Sequence, residues 1–268
     1  MNWFEAIVLG LVQGLTEFLP VSSSGHLTIA KELFGIEQNN LSFEVVVHAA
    51  TVCSTIVAFR KQIWDLLKGF FNLQMNPQKE YIFKIAVSMI PVFIVGMFFK
   101  EQVEAVFGSG LMVVGCMLFI TAGLLSLSEW LSKKQNGEGR PVGWKDAIII
   151  GIAQACAVLP GLSRSGSTIS TGLLLGVKKE DVAQFSFLMV LVPILGEAFL
   201  ELVGGELSGA ESGIPALSLF LGFVAAFLSG LFACKLMINI VKKAKLWIFA
   251  LYCVIVGAAC VISGLIQL

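Results

Sequence analysis

Long apolar runs are the feature that most constrains this chain. Crossing the hydrocarbon core of a bilayer takes about 20 residues in a helix. Six runs approach or exceed that length, at residues 41–59, 82–99, 108–130, 183–203, 214–240 and 246–267. With 57% hydrophobic and only 13% charged residues, the chain lacks the composition of a water-soluble domain. The sequence therefore predicts an all-α polytopic membrane protein with six transmembrane helices.

Two further apolar stretches, residues 3–35 and 147–177, are interrupted near their middle by clusters of Ser, Gly and Pro, PVSSSGH and PGLSRSGS. Lys145 and Lys178 flank the second stretch. Short cytoplasmic loops collect Lys and Arg, so both flanks belong to the inner side and the stretch cannot cross. We expect two re-entrant helical hairpins, the first entering from outside and the second from inside.

The distribution of basic residues predicts the orientation. With both termini external, all 18 lysines and arginines fall on the inner side except Lys31, Lys100 and Arg164. The first 20 residues have no basic segment of the kind that begins a signal peptide, so we expect them to remain in the mature fold. The net charge is zero and no basic tail is present, which argues against a nucleic-acid partner.

The two interrupted stretches also resemble each other. Residues 10–25, GLVQGLTEFLPVSSSG, align with residues 151–166, GIAQACAVLPGLSRSG, at a shift of 151 − 10 = 141 positions. We predict two repeats, residues 1–132 and 142–268, each consisting of one hairpin followed by three spans. Because three is an odd number of crossings, the second repeat is inverted relative to the first, an arrangement that brings broken helices together near the membrane midplane.

The hairpin tips are expected to form a polar pocket, because irregular backbone at membrane depth persists only when it is buried in protein or lines a wet cavity. Each tip starts a half-helix whose free N–H groups attract anions. Arg164 lies at the second tip, and its planar guanidinium suits a phosphate group. A structural salt bridge to Glu17 is the alternative role for Arg164, and the two roles are compatible.

Gln13 and Glu17 are four residues apart and share one helix face. Their oxygens could hold a hard divalent cation, Mg²⁺ or Ca²⁺, with a diphosphate completing its coordination. Alternatively, Glu17 only neutralises Arg164. Glu44 and His48 have the same spacing, and we expect them to pair with each other, with a place in the pocket as the alternative.

Serine hydroxyls and an imidazole fall within one turn at the first tip. Ser23 and its neighbours Ser22 and Ser24 offer a nucleophile, and His26 offers a base. The same serines could instead cap the half-helix. At the second tip, Ser163, Ser165, Ser167 and Thr168 could cap the helix or bind phosphate oxygens. Gly10 and Gly14 form a small-residue face that predicts close helix packing.

At these motifs the sequence resembles the bacitracin-resistance family, the undecaprenyl-diphosphate phosphatases of bacterial inner membranes. GLVQGLTEFLPVSSSGH carries the family's (E/Q)xxxE element with its serine–histidine tail, and PGLSRSGST carries the PGxSRSxxT element. The resemblance covers nearly the whole chain. Small departures, SSSGH where many members have SSTGH and Ala50 where a glycine is common, concern the fine packing of the pocket.

The resemblance implies removal of the terminal phosphate of undecaprenyl diphosphate, a reaction that regenerates the monophosphate carrier for cell-wall precursors. It implies Ser23 as nucleophile, with water as the alternative nucleophile, His26 as acid/base and Glu17 as a further catalytic residue. The candidate metal ligands are Gln13 and Glu17, and the candidate phosphate-binding residues are Arg164, Ser163, Ser165, Thr168, Ser22 and Ser24. The implied location is the bacterial inner (plasma) membrane with the site facing outward, and a homodimer is compatible with the sequence.

Other functions fit the same architecture. Inverted repeats with broken helices are also the plan of many secondary transporters. A lipid flippase that also hydrolyses its substrate is a hybrid alternative. A purely structural membrane protein fits least well, because it leaves the buried Arg164 unexplained.

Overall fold

The computed structural model describes residues 1–36, 41–107, 110–134, 139–196, 213–242 and 245–266. Its helices are α1 (Trp3–Phe18), α2 (Ser23–Phe34), α3 (Leu41–Ala58), α4 (Arg60–Phe70), α5 (Pro77–Phe98), α6 (Lys100–Phe107), α7 (Gly110–Lys134), α8 (Trp144–Cys156), α9 (Arg164–Leu174), α10 (Lys179–Met189), α11 (Ala216–Lys242) and α12 (Trp247–Ile266). Residues 191–196 are also helical.

Four of these helices are long and apolar enough to cross a membrane: α5, α12 and most of α7 and α11. They correspond to four of the six predicted spans, except that residues 108, 109 and 267 lie outside the described ranges. Helix α3 coincides with the predicted span at 41–59, but the chain bends by 79° into α4, and the bent pair could form a fifth span. The chain is therefore an all-α, multi-pass membrane protein.

The sixth predicted span, residues 183–203, is described only in part. Helix α10 ends at Met189, and helix resumes at residues 191–196. Residues 197–203 lie outside the described part of the chain.

Both interrupted stretches fold as helix–turn–helix hairpins, in which α1 packs against α2 and α8 packs against α9. In each hairpin a serine caps the returning helix. Ser22 Oγ accepts a hydrogen bond from the Gly25 N–H at 3.3 Å, and Ser163 Oγ accepts one from the Gly166 N–H at 3.1 Å. The half-helices thus begin at the Ser/Gly clusters that interrupt the apolar pattern.

Small residues let α1 approach α11 closely. A Cβ atom added at Gly10 would collide with the carbonyl oxygen of Gly222, and one added at Gly14 would collide with Ser229 Oγ. The predicted close-packing role of the two α1 glycines is therefore confirmed. In the second hairpin, Gly151 of α8 lies equally close to the backbone of α5. Helix α12 packs along α7.

A polar clasp ties together the two ends of the second hairpin. Arg140 forms a parallel β-bridge with Val177, and its carbonyl accepts the Lys178 N–H at 2.9 Å. Its guanidinium pairs with the buried carboxylate of Asp146. Burial alone would raise the pKa of Asp146, but hydrogen bonds from Arg140 and the Gly143 N–H, with the charge of Arg140, hold it below its ordinary value. The two ends of the second hairpin therefore lie next to each other.

Candidate active site at the hairpin tips

The carboxylate of Glu17, near the end of α1, is the centre of the polar cluster. One oxygen, Oε1, accepts a hydrogen bond from Arg164 Nη2. The other, Oε2, accepts from Gln13 Nε2 at 2.9 Å and from Ser23 Oγ at 2.7 Å, and His48 Nε2 lies 3.8 Å away. The Glu17 side chain is only 3% exposed. Side chains from α1, α2, α3 and α9 thus converge on one buried carboxylate.

Arg164 joins the two hairpin tips. It is the first residue of α9, and its side chain is 27% exposed, so the guanidinium keeps an open side while it pairs with Glu17. The next residue, Ser165, makes a second link by donating its hydroxyl to the carbonyl oxygen of Leu19 at 3.2 Å. A small cleft opens beside this junction. It is lined by Glu17, Phe18, Arg164, Ser165, Ser186, Phe187 and Val190.

The serines predicted to bind phosphate occupy matching positions at the two tips. Ser22 Oγ lies 3.3 Å from Ser24 Oγ, and Ser163 Oγ lies 3.4 Å from Ser165 Oγ. In each pair the first serine is the helix cap, so the capping alternative holds for Ser22 and Ser163. A cap hydroxyl can still donate its own proton to an oxyanion, because accepting the backbone N–H leaves the O–H free.

Two residues beside the site carried no signal in the sequence. Thr168 Oγ1 lies 2.5 Å from Ser186 Oγ of α10, and the Ser163 N–H donates to Thr121 Oγ1 of α7 at 3.0 Å. Ser186 and Thr121 sit singly within apolar segments, where a small hydroxyl residue is unremarkable. Only the packing of α7 and α10 against α9 brings them to the tip.

The structure pairs Ser23 and His26 with partners other than each other. Ser23 donates to Glu17 because a carboxylate is a stronger acceptor than a neutral imidazole. His26 Nδ1 lies 2.8 Å from the carbonyl oxygen of Ser22, and its Nε2 lies 2.8 Å from the hydroxyl of Tyr252. The Ser23 hydroxyl therefore donates its hydrogen bond to Glu17 and not to His26.

The prediction that Glu44 and His48 pair with each other is wrong. Glu44 instead forms an ion pair with Lys31, whose side chain is 3% exposed, and His48 turns toward Glu17. A buried ammonium requires a nearby negative charge, which explains why Lys31 captures Glu44. The alternative that His48 borders the pocket is the one that the structure supports.

Gln13 and Glu17 offer a donor set that suits a hard cation. The amide oxygen of Gln13 is buried and has no hydrogen-bond partner, although its nitrogen already binds Glu17. An unpaired buried amide oxygen beside a carboxylate is a costly arrangement that a hard cation would relieve. Within the described ranges, no group of three or more His, Cys, Asp or Glu side chains is arranged for metal binding. A cation here would need further ligands from a bound phosphate or water.

Comparisons with known proteins identify the family of this chain. The family model described as "Bacitracin resistance protein BacA" matches residues 6–259, which include both hairpin tips. The chain belongs to the BacA family. A BacA relative from Bacteroides thetaiotaomicron, named undecaprenyl-diphosphatase, is 60% identical over 270 residues, covering 99% of this chain and 100% of the relative.

More distant BacA relatives match over the same extent. A protein of the same name from Bacteroides fragilis is 58% identical over 271 residues, covering 100% of both chains. Another from Methanobrevibacter smithii is 37% identical over 270 residues and covers 96% of each chain. Membership of the BacA family therefore rests on the whole chain and not on the two motifs alone.

Proposed function

We propose that this chain is an integral membrane phosphatase that hydrolyses undecaprenyl diphosphate to undecaprenyl phosphate and inorganic phosphate. Such an enzyme recycles the lipid carrier for cell-wall synthesis and confers bacitracin resistance. The observation that carries the proposal is the site itself within a BacA chain: an arginine, a buried carboxylate and a hydroxyl meet where two half-helices begin. Full-length relatives that bear the name undecaprenyl-diphosphatase support the same substrate.

The proposed architecture consists of two inverted repeats, residues 1–132 and 142–268, with six transmembrane helices and two re-entrant hairpins. Equivalent helix pairs support it. At the shift of 141 positions α1 corresponds to α8 and α5 to α11, and α1 packs against α11 as α8 packs against α5. The Arg140 clasp supports the re-entrant path, because it places both ends of the second hairpin together. The termini and the site would face outside.

Substrate binding would use the charges at the tips. The guanidinium of Arg164 would bind the terminal phosphate bidentately, either after leaving Glu17 or by bridging the carboxylate and the phosphate. Hydroxyl donors surround it: Ser163, Ser165, Thr168, Ser22 and Ser24. Because phosphoryl transfer depends mainly on positioning and charge stabilisation, these donors would account for much of the catalysis.

The geometry favours Ser23 as the nucleophile. Its O–H already donates to Glu17, so the carboxylate would take the proton as Ser23 Oγ attacks the terminal phosphorus. The bond between that phosphorus and the bridging oxygen breaks, and the lipid monophosphate leaves. Water then hydrolyses the phosphoserine, with His26 accepting a proton from the water. The lipid chain would lie between helices in the bilayer.

Gln13 and Glu17 would hold a divalent cation, Mg²⁺ or Ca²⁺. When bound, the cation would neutralise part of the diphosphate charge, which exceeds what a single arginine balances. The unpaired amide oxygen of Gln13 is the feature that supports this role.

The decisive test is release of inorganic phosphate from a polyprenyl diphosphate by the purified protein in detergent, with and without a chelator. We expect release by the wild type, loss of release with chelator, and loss of about 10³-fold or more in Arg164→Ala and Ser23→Ala. Arg60→Ala is the matched control, because Arg60 is exposed at the start of α4 and should leave activity unchanged. A wild-type protein that binds the lipid but releases no phosphate would favour transport over hydrolysis.

A further inference from the structure

Tyr252 of α12 makes a two-part contact with His26 of α2, across 226 positions of sequence. The two rings are stacked, with centroids 5.5 Å apart and planes inclined by only 13°. The tyrosine hydroxyl also lies 2.8 Å from His26 Nε2. No motif includes Tyr252, and it lies in an apolar run that otherwise predicts a lipid-embedded helix.

The hydrogen bonds define which nitrogen of His26 carries the proton. Nδ1 lies 2.8 Å from the carbonyl oxygen of Ser22, and a carbonyl oxygen can only accept. Nδ1 must therefore be the N–H nitrogen. In the neutral ring Nε2 is then the basic nitrogen, and it accepts the O–H of Tyr252.

From this arrangement, and resting on the phosphatase function proposed above, we infer that Tyr252 is a positioning residue for His26. The Ser22 carbonyl holds the imidazole in the Nδ1–H tautomer, and the tyrosine hydroxyl orients its basic nitrogen. The backbone carbonyl of Ser22 and the hydroxyl of Tyr252 restrain the two ring nitrogens from opposite sides, and the stacked ring limits tilting. Because Nε2 already accepts the Tyr252 O–H, the proton of the attacking water would reach His26 through the tyrosine: the phenol oxygen takes the water proton as its own proton passes to Nε2. The ring need not turn during this transfer, which is the benefit of preorganisation in general base catalysis.

Tyr252 is suited to this role because its contact with His26 lies at a partly exposed position. The tyrosine is 42% exposed, and His26 is partly buried, so the pair borders an open region and is not sealed in the core. A purely structural hydrogen bond between α2 and α12 would not need the stacked geometry. A shared proton between a phenol and an imidazole does benefit from a fixed, short contact.

The chain provides a matched control, since it has only two tyrosines. Tyr81 of α5 is edge-on to Phe185, and its buried hydroxyl has no hydrogen-bond partner. Tyr81→Phe therefore removes the same atom from a site that does not touch the tips. Tyr252→Phe keeps the stacked ring and removes only the hydroxyl, whereas Tyr252→Leu removes both.

The first measurement is steady-state kinetics of phosphate release. We expect Tyr252→Phe to lower kcat about 10-fold with KM changed less than about twofold, and Tyr252→Leu to lower kcat further, because positioning contributes part of an acid–base term worth about 10²-fold or more. Tyr81→Phe should match the wild type. A Tyr252→Phe enzyme with the kcat of Tyr81→Phe would overturn the inference.

The second measurement does not depend on activity. With only two histidines in the chain, ¹⁵N-histidine NMR can follow His26 directly, and a His48→Gln variant assigns the signals. We expect the Nδ1–H tautomer in the wild type and in both Phe variants, because the Ser22 carbonyl holds it. We expect the chemical shift of Nε2 to change in Tyr252→Phe alone, because only that variant loses the hydrogen bond to Nε2. A wild-type protein with the Nε2–H tautomer refutes the inference even if the variants fold poorly. Failure of wild-type phosphate release would refute the proposed function but leave this result standing.

Discussion

The pair formed by Glu17 and Arg164 allows a test of how the two hairpins are held together. Glu17→Gln keeps the shape of the side chain and removes its charge, while Arg164→Ala removes the guanidinium. The two partners are not equally buried, with side chains 3% and 27% exposed. Removing one partner should therefore cost a different amount from removing the other.

The expected magnitudes follow from what each change leaves behind. Breaking a buried ion pair by removing one partner costs about 3–5 kcal/mol. Arg164→Ala leaves the Glu17 carboxylate with two donors, Gln13 and Ser23, so we expect the low end, about 3 kcal/mol. Glu17→Gln leaves an arginine that can turn toward the open cleft, so we expect about 2 kcal/mol. The double variant should also cost about 3 kcal/mol, because the uncompensated charge is gone.

The assay is a double-mutant cycle of the free energy of unfolding in mixed micelles, followed by helical circular dichroism. The expected coupling is about 2 kcal/mol, the difference between the sum of the single changes and the double change. Additivity within about 0.5 kcal/mol would mean that the two side chains do not share the buried pair, and the reasoning would fail.

Three further predictions concern packing and topology. Gly14→Ala should destabilise the fold by about 2 kcal/mol or more because the new methyl group meets Ser229, while Gly96→Ala, which meets nothing within 4 Å, should be neutral or slightly stabilising in the same unfolding assay. Ser54→Ala should lower the free energy of unfolding by about 0.6–1 kcal/mol, because Ser54 Oγ donates a hydrogen bond to the carbonyl oxygen of Phe227 in α11 at 2.7 Å. Ser88→Ala loses only a hydrogen bond within its own helix and should lower it less. In a cysteine-free background, Lys145→Cys and Lys178→Cys should react with an impermeant thiol reagent from the inner side only and Glu101→Cys from the outer side only, and labelling of Lys178→Cys from outside would contradict the re-entrant hairpin.

Local sequence patterns predict those parts of the site that depend on a single helix. The Ser/Gly clusters predict where α2 and α9 begin, because such residues interrupt an apolar helix and cap the next one. The spacing of Gln13 and Glu17 predicts their shared face, and their hydrogen bond at 2.9 Å confirms it. The Glu17–Arg164 contact could be given only as one of two roles, since the sequence does not show which buried charges meet.

The contacts between different helices could not be predicted from the sequence. His26 meets Tyr252, Lys31 meets Glu44, and Thr168 meets Ser186, and none of these pairs has a helical spacing that would connect its members. The expected Glu44–His48 pair shows the limit of spacing arguments: residues four apart can face the same way and still bind different partners. The 79° bend after α3 likewise depends on how α4 packs on α5.

The ion pair at the tips also has a consequence for turnover. Glu17 holds the guanidinium of Arg164 in the way that a phosphate oxygen would. The carboxylate is thus a tethered competitor, present at a high effective concentration, for any oxyanion that binds the arginine. If the phosphate binds by the first of the two proposed routes, in which Arg164 leaves Glu17, the substrate would displace the carboxylate with the help of its other contacts. A product phosphate, which has lost the lipid, would make fewer of these contacts. The return of Glu17 to Arg164 would then expel the product and restore the resting site in a single step.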